Sequence, residues 1–154
     1  MATLQENSTS AVSLMEHQIL GHIKQAMRVT LDWHAPVVSM PRKLSSLKFT
    51  IKSFQRHLER VISIEEEGGY MAEVMYQKPN LQDRIEHLAG EHMRFREQVR
   101  QLSNQLQGLS DRDELKFEEV CSGIRSLLLD IDLHDAEEVD LLQESLLMDD
   151  GGEG

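Results

Sequence analysis

Long stretches of the chain place apolar residues alternately three and four positions apart, which is the spacing of one buried face of an α-helix. The most regular stretch has the buried face Leu81, Ile85, Leu88, His92, Phe95, Val99, Leu102 and Leu106. A second has Leu47, Ile51, Phe54, Leu58, Val61 and Glu65. A third has Phe117, Val120, Ile124, Leu127, Ile131, His134, Glu138 and Leu141. Each of these faces therefore carries histidine or glutamate where a helical bundle normally holds leucine or valine.

The rest of the pattern indicates an all-α protein. No stretch alternates apolar and polar residues with the β-branched side chains typical of strands, so we expect no sheet. The three prolines fall between the periodic segments, where they stop helices: Pro36, Pro41 and Pro79. The predicted helices span residues 10–34, 43–76, 81–108 and 111–147.

The short connections between these helices favour antiparallel neighbours, so the predicted fold is an up-down-up-down antiparallel four-helix bundle. Gly68 and Gly69 interrupt the second helix and either bend or end it. We expect one domain at residues 10–148, preceded by a flexible N-terminus at 1–9 and followed by a disordered acidic tail at 149–154.

Charge and composition exclude several classes of partner. The net charge of −11 argues against binding to nucleic acid or to an anionic membrane surface. No apolar run approaches the ~20 residues that span a bilayer, and no signal peptide is recognisable at the N-terminus. A single cysteine, Cys121, favours the reducing cytoplasm. The absence of a nucleophile–base pair or a phosphate loop favours a binding protein over an enzyme.

The polar residues in the buried faces are the candidate site. A buried carboxylate or imidazole costs several kcal/mol unless it is paired or bound to a cation. His134 and Glu138 are four residues apart and share a helix face, while His92 and Glu65 come from two other helices. A metal ion would hold all four together. The alternatives are an exposed His134–Glu138 pair, a hydrogen-bonded core histidine, and a charged helix end at 65–67.

The first helix leaves its contribution open. Glu16 falls within its apolar arc, and His17 and His22 lie at opposite edges of that arc, so spacing alone does not choose between them. We interpret the remaining histidines, His34, His57 and His87, as surface or boundary residues, and Glu66 and Glu67 as solvated or near the glycine break.

Several short motifs resemble those of hemerythrin-like (HHE cation-binding) domains. They are Glu16-His17 in the first helix, the run 65–70 (EEEGGY) in the second, Glu91-His92 in the third and the run 134–138 (HDAEE) in the fourth. The resemblance spans nearly the whole chain. It implies a non-haem iron site inside the bundle.

The resemblance also implies roles for individual residues. His17, His92 and His134 would be terminal ligands, and Glu65 and Glu138 would bridge two irons. The family places a further histidine four residues before the glutamate of the second helix. Here that position is Val61, and four residues after His92 comes Arg96, so the ligand set is incomplete.

The leading functional hypothesis is an iron-binding bundle that holds one or two non-haem ions and binds or senses dioxygen or a similar small molecule. A metal-free bundle that serves as a structural or protein-interaction module is the alternative from another class. A three-ligand zinc site is intermediate between them. The sequence points to no particular protein partner.

Overall fold

The computed structural model describes the backbone of residues 4–151 and the side chains of residues 11–147 apart from 72 and 75. Its helices are α1 (Leu4–Leu31), α2 (Met40–Glu67), α3 (Tyr70–Gln77), α4 (Gln82–Gln107) and α5 (Glu114–Gly151). One turn of 3₁₀ helix precedes α4, and no strand occurs among the described residues. None of these helices is long and apolar enough to cross a membrane. The prediction of an all-helical chain with four long helices is confirmed.

The ends of the outer helices differ from the prediction. Helix α1 begins at Leu4 rather than at residue 10, since no glycine or proline interrupts the chain there. It ends at Leu31, where the amides of Asp32 and Trp33 bond back to carbonyls of the last turn. Helix α5 continues to Gly151, into the segment predicted as a tail, and residues 152–154 lie outside the described part.

The predicted second helix is two helices. Helix α2 begins at Met40, with the Ser39 side chain as its N-cap, and ends at Glu67. A Cβ atom on Gly69 would lie 2.6 Å from the carbonyl oxygen of Ile64 and 2.9 Å from Cα of Glu65. Glycine is therefore required at this position, because any side chain would collide with the backbone of α2. The close approach lets α3 start directly against the end of α2.

Two apolar clusters fill the interior. The larger one contains Phe54, Phe95 and Phe117 together with aliphatic residues of α1, α2, α4 and α5. The smaller one consists of Met71, Val74, Leu81, Ile85, Leu88 and Leu141. Along α4 the order is Leu88, His92, Phe95, so a histidine separates the two clusters. The candidate site residues thus form a layer between two apolar regions.

Ion pairs connect α1 to α5 on the outside of the bundle. Lys24 lies 3.2 Å from Asp132 and 3.1 Å from Asp135, while Asp32, just beyond α1, lies 3.0 Å from Arg125. Asp32 comes after Lys24 in the chain, whereas its partner Arg125 comes before the partners of Lys24. The order of the paired residues along α5 is therefore the reverse of their order along α1. Exposed pairs of this kind contribute little to stability, about 0–1 kcal/mol each.

Candidate metal centre

Four buried polar side chains converge in the layer between the two apolar clusters. Glu65 comes from α2, His92 from α4, and His134 and Glu138 from α5. Each offers one ligand atom, and these atoms all lie within 4.8 Å of one another. All four residues are buried, none more than 8% exposed. The heptad positions alone bring them together, since each occupies the place of a core residue on its helix.

The Nε2 atoms of the two histidines face the centre of this polar layer. His92 Nε2 lies 3.2 Å from Glu65 Oε2 and 3.6 Å from Glu138 Oε1. His134 Nε2 lies 2.5 Å from Glu138 Oε1. The two Nε2 atoms are 3.0 Å from each other, with the ring centroids 4.7 Å apart. Two nitrogens and two carboxylates therefore point at one small volume.

An outer pair of carboxylates holds the other nitrogen of each ring. His92 Nδ1 is 3.0 Å from Glu66 Oε1, and His134 Nδ1 is 3.1 Å from Glu91 Oε1. Since an ionised carboxylate only accepts hydrogen bonds, each Nδ1 carries a proton and donates it outward. Histidines that bind metals have this arrangement, in which the carboxylate fixes the tautomer and the ring orientation.

The inner atoms require a positive charge. With both Nδ1 atoms protonated, the Nε2 atoms of neutral rings would direct lone pairs at each other and at the carboxylates. The gap of 3.0 Å between them accommodates a single proton, not two. Glu65 Oε2 is inaccessible to solvent and has no well-formed hydrogen bond, although His92 Nε2 lies 3.2 Å away. Either protons or a metal ion must occupy this place.

The pKa values of these residues also indicate that the layer requires a positive charge. Burial favours the neutral ring of His92, but the carboxylates of Glu138, Glu65 and Glu66 outweigh it and raise its pKa to about 10. His134 is likewise buried, yet Glu138 raises its pKa. Burial disfavours the charged form of Glu138, but the two histidines hold its pKa well below the usual range. Without a metal ion, protons therefore supply the charge that the carboxylates demand.

Helix α1 contributes His17 and not His22. His17 Nε2 lies 3.0 Å from Glu65 Oε1, whereas His22 is exposed and does not line the site. The bond to Glu65 outweighs burial and raises the pKa of His17. Because the His17 side chain is 42% exposed, it is the edge of the site that faces solvent. All five residues predicted as ligands are thus in one connected group.

A cavity of about 40 Å³ adjoins the polar layer. Val61, the position at which the family resemblance would place a histidine, is buried and lines this cavity. His17, Lys24 and Asp135 line it as well. A volume of this size holds about one water molecule, so the cavity is a small opening beside the inner atoms.

Sequence reasoning missed the outer carboxylates. Glu66 was expected to be solvated or near the glycine break. It is half-buried two residues before that break, where it accepts the hydrogen bond of His92 and also lies 3.7 Å from Arg96. Glu91 appeared only as part of a motif. Both stand one residue away from a buried-face residue, Glu65 or His92, and that adjacency is the signal that would have identified them.

Two further polar residues, Glu16 on α1 and His57 on α2, pair with each other. Glu16, which falls in the apolar arc of α1, is buried and lies 3.0 Å from Nδ1 of His57. His57 is half-buried, as expected of a boundary histidine. This pair stands apart from the polar layer and explains a buried glutamate without a metal.

Comparison of the chain with models of protein families, with curated proteins and with solved structures finds no match. The resemblance to hemerythrin-like domains therefore stays a prediction that rests on the motifs themselves. What the chain can bind has to be argued from the geometry of its own residues.

Proposed function

We propose that this chain binds non-haem iron, as one or two ions, in the layer formed by Glu65, His92, His134 and Glu138, with His17 as a fifth ligand at its edge. The bound iron serves to bind or sense dioxygen or a comparable small molecule. In this proposal the fold is an up-down-up-down bundle of the hemerythrin type. The protein acts in a reducing compartment such as the cytoplasm and does not catalyse turnover.

One observation carries the proposal. The Nε2 atoms of two histidines and the oxygens of two carboxylates meet in the layer, and none of these four groups is a hydrogen-bond donor unless a histidine takes up an extra proton. Glu65 Oε2 is buried without a hydrogen bond, and the Nε2 atoms of His92 and His134 lie 3.0 Å apart. An orphaned buried carboxylate oxygen costs about 1–3 kcal/mol or more. A divalent cation removes this cost for all four residues at once.

The donor set favours iron over zinc. Three imidazoles and two carboxylates exceed the four ligands of a structural zinc site, and they match the nitrogen and oxygen donors of non-haem iron. No thiolate is available, because Cys121 belongs to the large apolar cluster. The carboxylates Glu66 and Glu91 supply the outer hydrogen bonds that such ligands need.

The cavity beside the layer supports a small exogenous ligand. Its volume of about 40 Å³ suits a molecule of two or three atoms. Apolar residues, including Leu58, Val61 and Ile62, form part of its wall. The missing histidine at position 61 leaves that side of the site free of a protein ligand. Iron with an open position supplies the chemistry of dioxygen binding.

The test is anaerobic loading followed by exposure to gas. Metal-free protein is dialysed against ferrous iron under argon, the bound iron is counted, and visible spectra are recorded before and after dioxygen is admitted. We expect bound iron and a spectral change that argon reverses. Iron that binds without any response to dioxygen would refute the sensing role. Purified protein that holds zinc and rejects iron would refute the choice of metal.

A metal-free interaction module remains the second candidate, because protons on the histidines also satisfy the layer. The raised pKa values of His92 and His134 are the observation that favours it. Under this alternative, ferrous iron and zinc leave the melting temperature unchanged, whereas a ligand that binds only the folded state must raise it.

A further inference from the structure

Tyr70 brings a phenol to the side of the polar layer away from the cavity. Tyr70 does not line the cavity, and its ring packs against the smaller apolar cluster. Its hydroxyl oxygen is inaccessible to solvent and makes no hydrogen bond. Buried polar atoms without partners are uncommon in folded proteins, and each calls for an explanation.

The backbone places this side chain by a specific device. Tyr70 is the first residue of α3, directly after Gly69, whose missing side chain allows the backbone to lie against Ile64 and Glu65. The tight reversal returns the chain over the residue that enters the polar layer from α2. Tyr70, at the start of α3, therefore lies close to the residues of the layer.

Among the carboxylates, that of Glu138 has the largest effect on the pKa of this hydroxyl. Burial, followed by the negative charges of Glu138 and Glu65, raises the pKa of Tyr70, so the phenol keeps its proton. A hydrogen bond to the Glu138 carboxylate also contributes to the raised pKa, so the phenol lies beside that group, although the contact lacks the geometry of a well-formed hydrogen bond. In the metal-free protein Glu138 has other donors, since its Oε1 is 2.5 Å from His134 Nε2.

A metal ion would change the partners of Glu138. Nitrogens that bind a metal must give up their protons, so the histidines would no longer donate to this carboxylate. Ligating carboxylates are normally held by a hydrogen bond from a neighbouring group. The unpartnered donor beside Glu138 is then the Tyr70 hydroxyl.

We infer that Tyr70 donates a hydrogen bond to the carboxylate of Glu138 and holds it in position as a ligand of the bound cation. Tyr70 is thereby a positioning residue of the metal centre, an assignment that rests on the proposed function. In the metal-free protein the hydroxyl makes no well-formed hydrogen bond.

The test uses both tyrosines of the chain, Tyr70 and Tyr76. Tyr76 is 89% exposed, so Tyr76→Phe is a matched control for Tyr70→Phe. Ferrous iron affinity is measured under argon, and the melting temperature of the metal-free proteins is measured separately. We expect Tyr70→Phe to weaken iron binding by roughly 10–100-fold, the usual effect of removing an outer partner of a ligand. The same change leaves the metal-free melting temperature equal or higher, because it removes an unpaired buried hydroxyl.

The opposite directions of these two effects distinguish positioning from packing. A loss of metal-free stability in step with affinity would make Tyr70 a packing residue and overturn the inference. So would unchanged iron affinity in Tyr70→Phe, or a visible phenolate-to-ferric absorption band that this substitution abolishes, since the phenolate would then be a direct ligand. Wild-type protein that binds no iron would overturn the proposed function and this inference together.

Discussion

The polar layer and the large apolar cluster are built on the same helix faces with the same three-and-four spacing, yet their residues stabilise the fold in different ways. Burial of an aromatic residue such as Phe54 or Phe117 is favourable by itself, at about 25 cal/mol per Å² of apolar surface. Burial of Glu65 or His92 is unfavourable until a charge of opposite sign is supplied. Position on the bundle decides which residues are buried, and their chemistry decides whether that burial needs a partner.

One part of the interior serves folding, and we propose that the other serves binding. If this is correct, truncation in the apolar cluster lowers stability directly. Replacement of the complete polar layer by apolar residues raises the stability of the metal-free protein and abolishes metal binding.

The largest effect is expected in the apolar cluster. Phe54 is fully buried, so Phe54→Ala should lower the free energy of unfolding by about 3–5 kcal/mol through lost burial and the cavity left behind. Phe49 is 79% exposed on the same helix, and Phe49→Ala should stay within about 0.5 kcal/mol. Urea unfolding measures both. Equal losses at the two positions would contradict the assignment of the core.

The next effect has the opposite sign. A variant with leucine at positions 65, 92, 134 and 138 should raise the free energy of unfolding of the metal-free protein by about 1–4 kcal/mol, as when buried ionic groups are replaced together by apolar ones. The same variant should bind no ferrous iron. A single His92→Ala is the comparison, because it leaves carboxylates without a partner and should destabilise. A less stable leucine variant would mean that the layer itself holds the fold together.

A smaller effect concerns the turn between α2 and α3. Gly69→Ala should cost about 1–3 kcal/mol, since its Cβ would collide with the backbone of Ile64 and Glu65. Gly68→Ala is the matched control, because a Cβ there meets nothing within 4 Å. Thermal unfolding of both variants measures the difference. Equal stability of the two would show that the close approach of α3 is not required.

The smallest effect sharpens the ligand set. Val61→His should strengthen iron binding, because position 61 lines the cavity and lies one turn before Glu65. The larger polar ring strains the core by about 1–3 kcal/mol when no metal is present. Iron should raise the melting temperature of the variant more than that of the wild type, by about 2–4 °C per kcal/mol of added binding.

The control for this prediction is the same change at another buried valine. Val120 lies on α5 in the large apolar cluster, so Val120→His should show the strain without the gain from iron. If iron raises the melting temperature of Val61→His no more than that of the wild type, position 61 does not point at the metal.

Much of this arrangement could be predicted from the sequence, because it follows from periodicity. The three-and-four spacing identified Glu65, His92, His134 and Glu138 as buried, and the structure places them within 4.8 Å of one another. The spacing determines which face of a helix is buried. In a bundle of four long helices, buried faces can only meet each other.

The rest could not be predicted from spacing, because it depends on contacts between helices that spacing does not fix. His17 and His22 are at equivalent edges of α1, and only the packing against α2 brings His17 to Glu65. The hydrogen bond from His92 to Glu66 was not predicted, since a residue beside the buried face can turn either way. Tyr70 depends on a backbone reversal at Gly69 that a helical pattern does not reveal.

The most direct test of the central claim is to measure the binding of ferrous iron to metal-free wild-type protein by equilibrium dialysis under argon near neutral pH. His92→Ala removes an inner ligand, and His22→Ala is the matched histidine control, since His22 is exposed on α1. Our account predicts at least about one iron per chain for the wild type and His22→Ala, with a large loss of affinity for His92→Ala. Wild-type protein that binds no iron, or His92→Ala that binds as tightly as wild type, would contradict it.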